Sequence, residues 1–190
     1  MGSYAVIEEI GNEIVTLLRQ NLVPEFVGHQ ENIDLCSPDE KGDITVGIYL
    51  YDIQESEGMI GIEPKNRGVV SQCYPSLFLE LYYMITVYSN SDVKFRARQE
   101  QKLLGRILQI FHENKRLPEN DSSRNPDYPM KIEMERLKLE DKLKIYNAPG
   151  KAYKSSLFYR VYPVELESTQ RKKVYRVTDV NFSVNEEKER

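Results

Sequence analysis

The stretch Pro75-Ser76-Leu77-Phe78-Leu79-Glu80-Leu81-Tyr82-Tyr83-Met84-Ile85-Thr86-Val87-Tyr88-Ser89 decides how the rest of the chain is read. Leu77, Leu79, Leu81, Tyr83, Ile85 and Val87 alternate onto one face, and Phe78, Tyr82, Met84 and Tyr88 onto the other. A period of two with β-branched and aromatic residues on both faces is the pattern of a strand with neighbours on either side. The tyrosines at 82, 83 and 88 are therefore read as core residues that bring their hydroxyls toward the surface.

Working outward, Asp43 to Ile53 is a second strand. Ile44, Val46, Ile48 and Leu50 line one face, and Thr45, Tyr49, Tyr51 and Ile53 the other. Two segments carry the helical period instead. In Ser3 to Leu22, Ile7, Ile10, Ile14, Leu17 and Leu18 form one stripe. Ser3 suits the cap, Glu8 and Glu9 suit the positive end of the dipole, and Val23-Pro24 ends the helix. In Phe95 to Asn114 the stripe is Leu103, Leu104, Ile107, Leu108 and Phe111. Gly11 and Gly105 each cost their helix about 1 kcal/mol relative to alanine, and each is read as a place of tight packing, with another backbone close to Gly11.

Glu55 to Gln72 is loop-like, with Gly58, Gly61, Pro64 and Gly68, yet it carries Met59, Ile60, Ile62, Val69 and Val70. So many apolar residues suit either a hairpin folded on the body or a contact with a neighbouring subunit. Leu117 to Pro129 is a polar surface loop, Lys131 to Leu139 a strand, and Glu140 to Ala148 a short helix ended by Pro149-Gly150. Ser155 to Glu167 and Lys172 to Ser183 read as two arms of a carboxy-terminal β-hairpin. The expected fold is α+β: one domain over 1–184, a mostly antiparallel sheet, the two main helices on one face, and a charged tail over 185–190.

With 190 residues, 40% apolar and 29% charged, the chain can bury a core of its own and needs no staples. Its 26 basic residues against 30 acidic leave −4, without the surplus that sequence-independent nucleic-acid binding requires. Cys36 and Cys73 are too few for a disulfide framework and are read as reduced thiols. Ala5 to Leu22 is broken by charges and amides, which speaks against a signal peptide or a membrane span and points to folding in the cytoplasm. His29 and His112 have no ligand-spaced neighbours for a metal, and no nucleophile elbow or phosphate-cradling motif is present. The expectation is a binding or structural protein, with no catalytic residue, cofactor or metal.

Residue order carries a resemblance as well. A helix over Ser3 to Leu22 is followed by Ile48-Tyr49-Leu50-Tyr51, by the proline-led strand with Leu81-Tyr82-Tyr83, and by Glu100-Gln101-Lys102-Leu103-Leu104-Gly105. Tyr153-Lys154-Ser155-Ser156-Leu157-Phe158-Tyr159-Arg160-Val161 comes last. Over roughly residues 3–183 this resembles the cap, or tail-terminator, proteins of extracellular contractile injection systems, phage-tail-like particles of the antifeeding-prophage and virulence-cassette kind. The chain departs from that pattern in its long apolar loop and in Ala152, where many members carry proline.

The resemblance implies a structural subunit. Six copies would form a ring at the end of the particle far from the baseplate, in contact with inner-tube and sheath subunits. It implies no nucleic-acid or membrane partner, and a particle assembled in the cytoplasm that is later released. Head-to-tail contact in such a ring joins two different surfaces of each subunit. The candidate surfaces are the apolar Met59, Ile60, Ile62, Val69 and Val70, the basic Arg96, Arg98, Lys102 and Arg106, and the carboxy-terminal hairpin with its exposed strand edge. The alternative is an adaptor or chaperone for tube subunits or cargo, absent from the finished particle.

Overall fold

In the computed structural model, residues 4–40, 42–57, 71–89, 91–117, 128–146 and 152–173 are described, the backbone alone for 71–73 and 171–173. The deciding stretch forms β4, Leu77–Val87, at the centre of a five-stranded sheet. The other members are β1 (Ile33–Leu35), β2 (Val46–Glu55), β5 (Lys131–Met134) and β6 (Ser156–Leu166). Their order is β1-β2-β4-β6-β5, with every neighbour antiparallel except β1 and β2. Two short strands, β3 (Ser71–Cys73) and β7 (Arg171–Lys173), pair antiparallel as a second sheet.

The long helices, α1 (Val6–Leu22) and α2 (Val93–Glu113), share one face of the five-stranded sheet. The core lies between them and that face. Ile10, Ile14, Leu18 and Leu22 of α1 meet Ile48, Leu81, Tyr83, Ile85 and Val161 of the sheet, together with Leu103, Ile107, Ile110 and Phe111 of α2. Each large apolar side chain removed from water there contributes about 1.5–3 kcal/mol. On the opposite face a smaller cluster of Met84, Phe158 and Tyr146 is flanked by Tyr49, Tyr51 and Tyr153 and by the short α3, Leu139–Ile145. Both faces of β4 are thus covered, which is why it is apolar on both.

The architecture expected from sequence is present, with differences that have physical causes. Ala5, not Ser3, occupies the N-cap of α1 and makes no side-chain cap; Ser3 lies outside the described residues. Gly11 is approached by a side chain rather than a backbone: a Cβ there would lie 3.1 Å from a methyl carbon of Leu35. Gly47 is tighter still, because a Cβ would come within 2.6 Å of the Sγ of Cys36, the residue that follows β1 where it runs parallel to β2. On α2, Ile110 is buried where Leu108 was expected, so the apolar stripe is rotated toward 103, 107, 110 and 111. The second arm expected of the carboxy-terminal hairpin begins as β7, but among the described residues it pairs with β3 rather than with β6. β6 has both sides taken over its middle, by β4 and by β5, so β7 needs another partner.

Gly105 is not a packing glycine. No heavy atom outside its own helix lies within 4 Å of the position a Cβ would take. Gly105→Ala should therefore stabilise the fold by about 0.5–1 kcal/mol, since alanine costs less backbone entropy in a helix interior. The check is a shift of the urea midpoint at unchanged m-value, and an unchanged or lowered midpoint would contradict it.

Candidate functional site

The basic residues singled out from sequence all lie on α2, but they do not act as one patch. The Arg96 guanidinium turns back to the preceding loop and donates to the Ser91 carbonyl through Nε (3.4 Å) and Nη2 (3.3 Å). The Lys102 Nζ sits 5.2 Å from the centroid of the Phe26 ring, at the mouth of a shallow cleft that also includes Glu25 and Ser89. Arg106 donates to the Gln109 amide oxygen at 3.3 Å. Arg98 is exposed and has no ion pair among the described residues. On the same face as Arg98, the Lys94 Nζ lies 5.7 Å from the centroid of the half-exposed Phe95 ring, beside the exposed Val93. The start of α2 is held down by Glu100, which pairs with Lys154, two residues before β6 (2.5 Å), and accepts the Ser89 backbone N–H (3.2 Å). Met59, Ile60, Ile62, Val69 and Val70 lie outside the described residues, as does the chain beyond Lys173.

A polar centre on the sheet face away from the long helices was not foreseen. Arg160 of β6 donates from Nη1 to Glu80 Oε2 of β4 at 3.1 Å. Its Nε lies 3.1 Å from Glu135 Oε1, an ion pair without hydrogen-bond alignment, and Nη2 lies 3.9 Å from Glu133. Glu80 also accepts from the Tyr82 hydroxyl (3.0 Å) and from Ser56 (3.2 Å), and the guanidinium stacks 4.2 Å from the Tyr162 ring centroid. Burial opposes the Arg160 charge, but the Glu80 hydrogen bond and the Glu80 and Glu135 charges hold its pKa above the usual value. The register explains the gathering, since Arg160 faces Tyr82 across β4–β6 and Glu133 across β5–β6. Glu80, Tyr82 and Arg160 each interrupt an apolar run on the same face, and that was the available signal. The centre clamps three strands together, one guanidinium serving three carboxylates, of which Glu133 is half exposed and keeps its contact with solvent.

Burial also governs the tyrosines. It pushes the Tyr159 hydroxyl up from 10.0 to about 12. It raises Tyr83 and Tyr88 as well, and Tyr51, to which the Glu135 charge adds. A neutral group whose folded pKa is raised stabilises the fold fully below the unfolded pKa, and that contribution is lost as pH climbs toward the folded value. Unfolding followed by far-ultraviolet circular dichroism should therefore set in as pH rises from about 10 toward 12, together with tyrosinate absorbance. Complete tyrosinate formation near pH 10 in a chain that is still folded would contradict this.

Among the described residues no group of three or more His, Cys, Asp or Glu side chains is placed to hold a metal ion. No helix among them is long and apolar enough to cross a membrane. The model of the Pvc16 N-terminal domain family matches residues 9–179, most of the chain. The chain belongs to the Pvc16 N-terminal domain family. Two structures solved by electron cryo-microscopy are similar to this Pvc16-type domain. One is the sheath/tube terminator of PVC, an extracellular contractile injection system, in its extended state, with TM-score 0.68 and 18% identity over 97% of this chain. The other is the tube-terminating cap of the anti-feeding prophage, with TM-score 0.68 and 20% identity over 93% of this chain. At those identities the likeness is one of fold. The Pvc16-type domain spans 64% and 61% of those two chains, just under two thirds of their length. Comparison with curated protein sequences finds no match.

Proposed function

We propose that this chain is a non-enzymatic cap or terminator subunit of a contractile injection particle. Copies of it form a ring, six by the resemblance noted above, at the end far from the baseplate and stop growth of the inner tube, the sheath or both. The observation that carries the reading is fold likeness over nearly the whole chain to two proteins described as terminators of such particles. A terminator needs no chemistry. It needs a stiff body and surfaces that match a ring end, and a sheet covered on both faces and clamped by Arg160 supplies the stiffness. Its partners on this reading are copies of itself and the tube and sheath subunits. Met59, Ile60, Ile62, Val69 and Val70 belong to the proposal as a subunit contact. A stable contact should bury more than about 1,000 Å² in total.

The test is to image particles purified with and without this chain. The reading expects the chain at one end of each particle and tubes of irregular length in its absence. Finished particles of normal length that lack the chain would put the adaptor or chaperone reading in its place.

A further inference from the structure

We propose that the outer face of α2, along its whole length, is the surface through which one copy of the chain binds the next. This rests on the ring reading above and names a surface that makes the ring.

Leu103, Ile107, Ile110 and Phe111 fix the side of α2 that meets the sheet. At 100° per residue the opposite side carries Lys94, Arg98, Gln101, Gly105, Leu108 and His112, a stripe about five turns and 27 Å long. All six are exposed. No carboxylate lies on this stripe. The two acidic residues of the helix, Glu100 and Glu113, lie off it, and Glu100 is engaged by Lys154. A helix face that only meets water commonly mixes both signs at three- or four-residue spacing, as Asp141 and Lys144 do on α3.

This face is also costly to its own helix. Lys94, Arg96 and Arg98 stand at the positive end of the dipole, no acidic residue lies in the first turn, and Asp92 makes no side-chain cap. Gly105 weakens the helix interior, yet nothing outside that helix comes within 4 Å of where its Cβ would be. Every residue from 92 to 99 is exposed, Val93 at 80%. The same end is nonetheless held in place, by Glu100 on Lys154 and the Ser89 N–H, by Arg96 on the Ser91 carbonyl, and by the Ser89 hydroxyl on Gln99. Local rules broken on a fixed, uncovered surface mark a place where a partner acts. A surface already ordered loses little entropy when that partner binds.

Charge selects the partner. With five Lys and Arg against two Glu, α2 stands at +3 in a chain of −4, so the rest of the chain stands at −7. A second copy therefore meets this helix with a body of opposite net charge. Contact between α2 of one copy and a different surface of the next is head-to-tail, as a closed ring requires. Gly105, at the middle of the stripe, lets the neighbour come close.

The experiment is light scattering on a sizing column over a range of protein and salt concentrations. Wild type is expected near six copies, about 133 kDa from a 22.2 kDa chain, and to dissociate as salt rises. Lys94→Glu/Arg98→Glu is expected at the monomer mass with the circular dichroism of a folded chain. Gly105→Gln separates assembly from folding. In high salt, where the copies are apart, its melting temperature should lie above wild type, because glutamine is the better helix former. Its self-association should nonetheless be at least about tenfold weaker, because the added side chain overfills the contact. Carbodiimide coupling of mixed ¹⁴N- and ¹⁵N-labelled wild type should join Lys94 to a carboxylate of another copy, and mass spectrometry then identifies the facing surface. A wild-type ring that the double charge variant leaves intact, or whose Lys94 couples only within its own copy, would overturn the contact and leave the ring reading standing. An intact variant ring that has lost binding to purified tube subunits would assign the face to the tube and overturn the contact between copies. A wild type that stays monomeric throughout would overturn the solution ring itself, and this contact with it.

Discussion

Leu81→Ala should cost about 3 kcal/mol. Leu81 is wholly buried at the middle of β4, between Ile53 of β2 and Val161 of β6, and it belongs to the core under the two long helices. Truncation removes its transfer free energy and leaves a cavity that a strand paired on both sides cannot collapse to fill. In a chain with the usual 5–15 kcal/mol of stability, a loss of about 3 kcal/mol moves the urea midpoint by about 1–3 M. A loss below about 1 kcal/mol would mean that the helices settle onto the sheet, so that the core is less rigid than its burial indicates.

Arg160→Ala is the second. It leaves Glu80 and Glu135 close together and largely out of solvent, their side chains 16% and 24% exposed, with no cation between them. Removing one partner of a mostly buried ion pair costs more than the pair itself contributes, because the remaining charge is left uncompensated. The expected cost is about 2 kcal/mol, below the fully buried case because Glu133, 49% exposed, stays solvated. Adding Glu80→Gln to Arg160→Ala should restore part of it, since the leftover charge is then gone. Urea denaturation of wild type, both single variants and the double variant measures the coupling. Equal stability of Arg160→Ala and wild type would show that the clamp is replaceable by water. The location sharpens the point, since Arg160 ties β4, β5 and β6 together on the face away from the helices.

Much was legible in the residues alone. The two-residue alternation of 77–87, the helical stripes of α1 and α2, and the late strand at 156–166 are local patterns, and local patterns are set by which side chains must leave water along a given backbone period. They sufficed for an α+β fold with both long helices on one face, and the order of segments was enough to suggest the family. What they did not contain were pairings between distant residues. The parallel addition of β1, the meeting of β3 with β7, and the convergence of Glu80, Glu133, Glu135 and Arg160 depend on sheet order and register. No periodicity encodes these, because the partners lie up to about a hundred residues apart. The same holds for the basic helix start: its charges were visible, but only the packed structure separated Arg96, Lys102 and Arg106, which are engaged by their own chain, from Arg98, which is exposed with no ion pair among the described residues. Sequence determined which segments fold as helix and strand; tertiary structure decided the facing of Ile53 beyond the β2 bulge and of the α2 stripe, and which charges are spent inside the molecule, because these depend on register and distances that only packing sets.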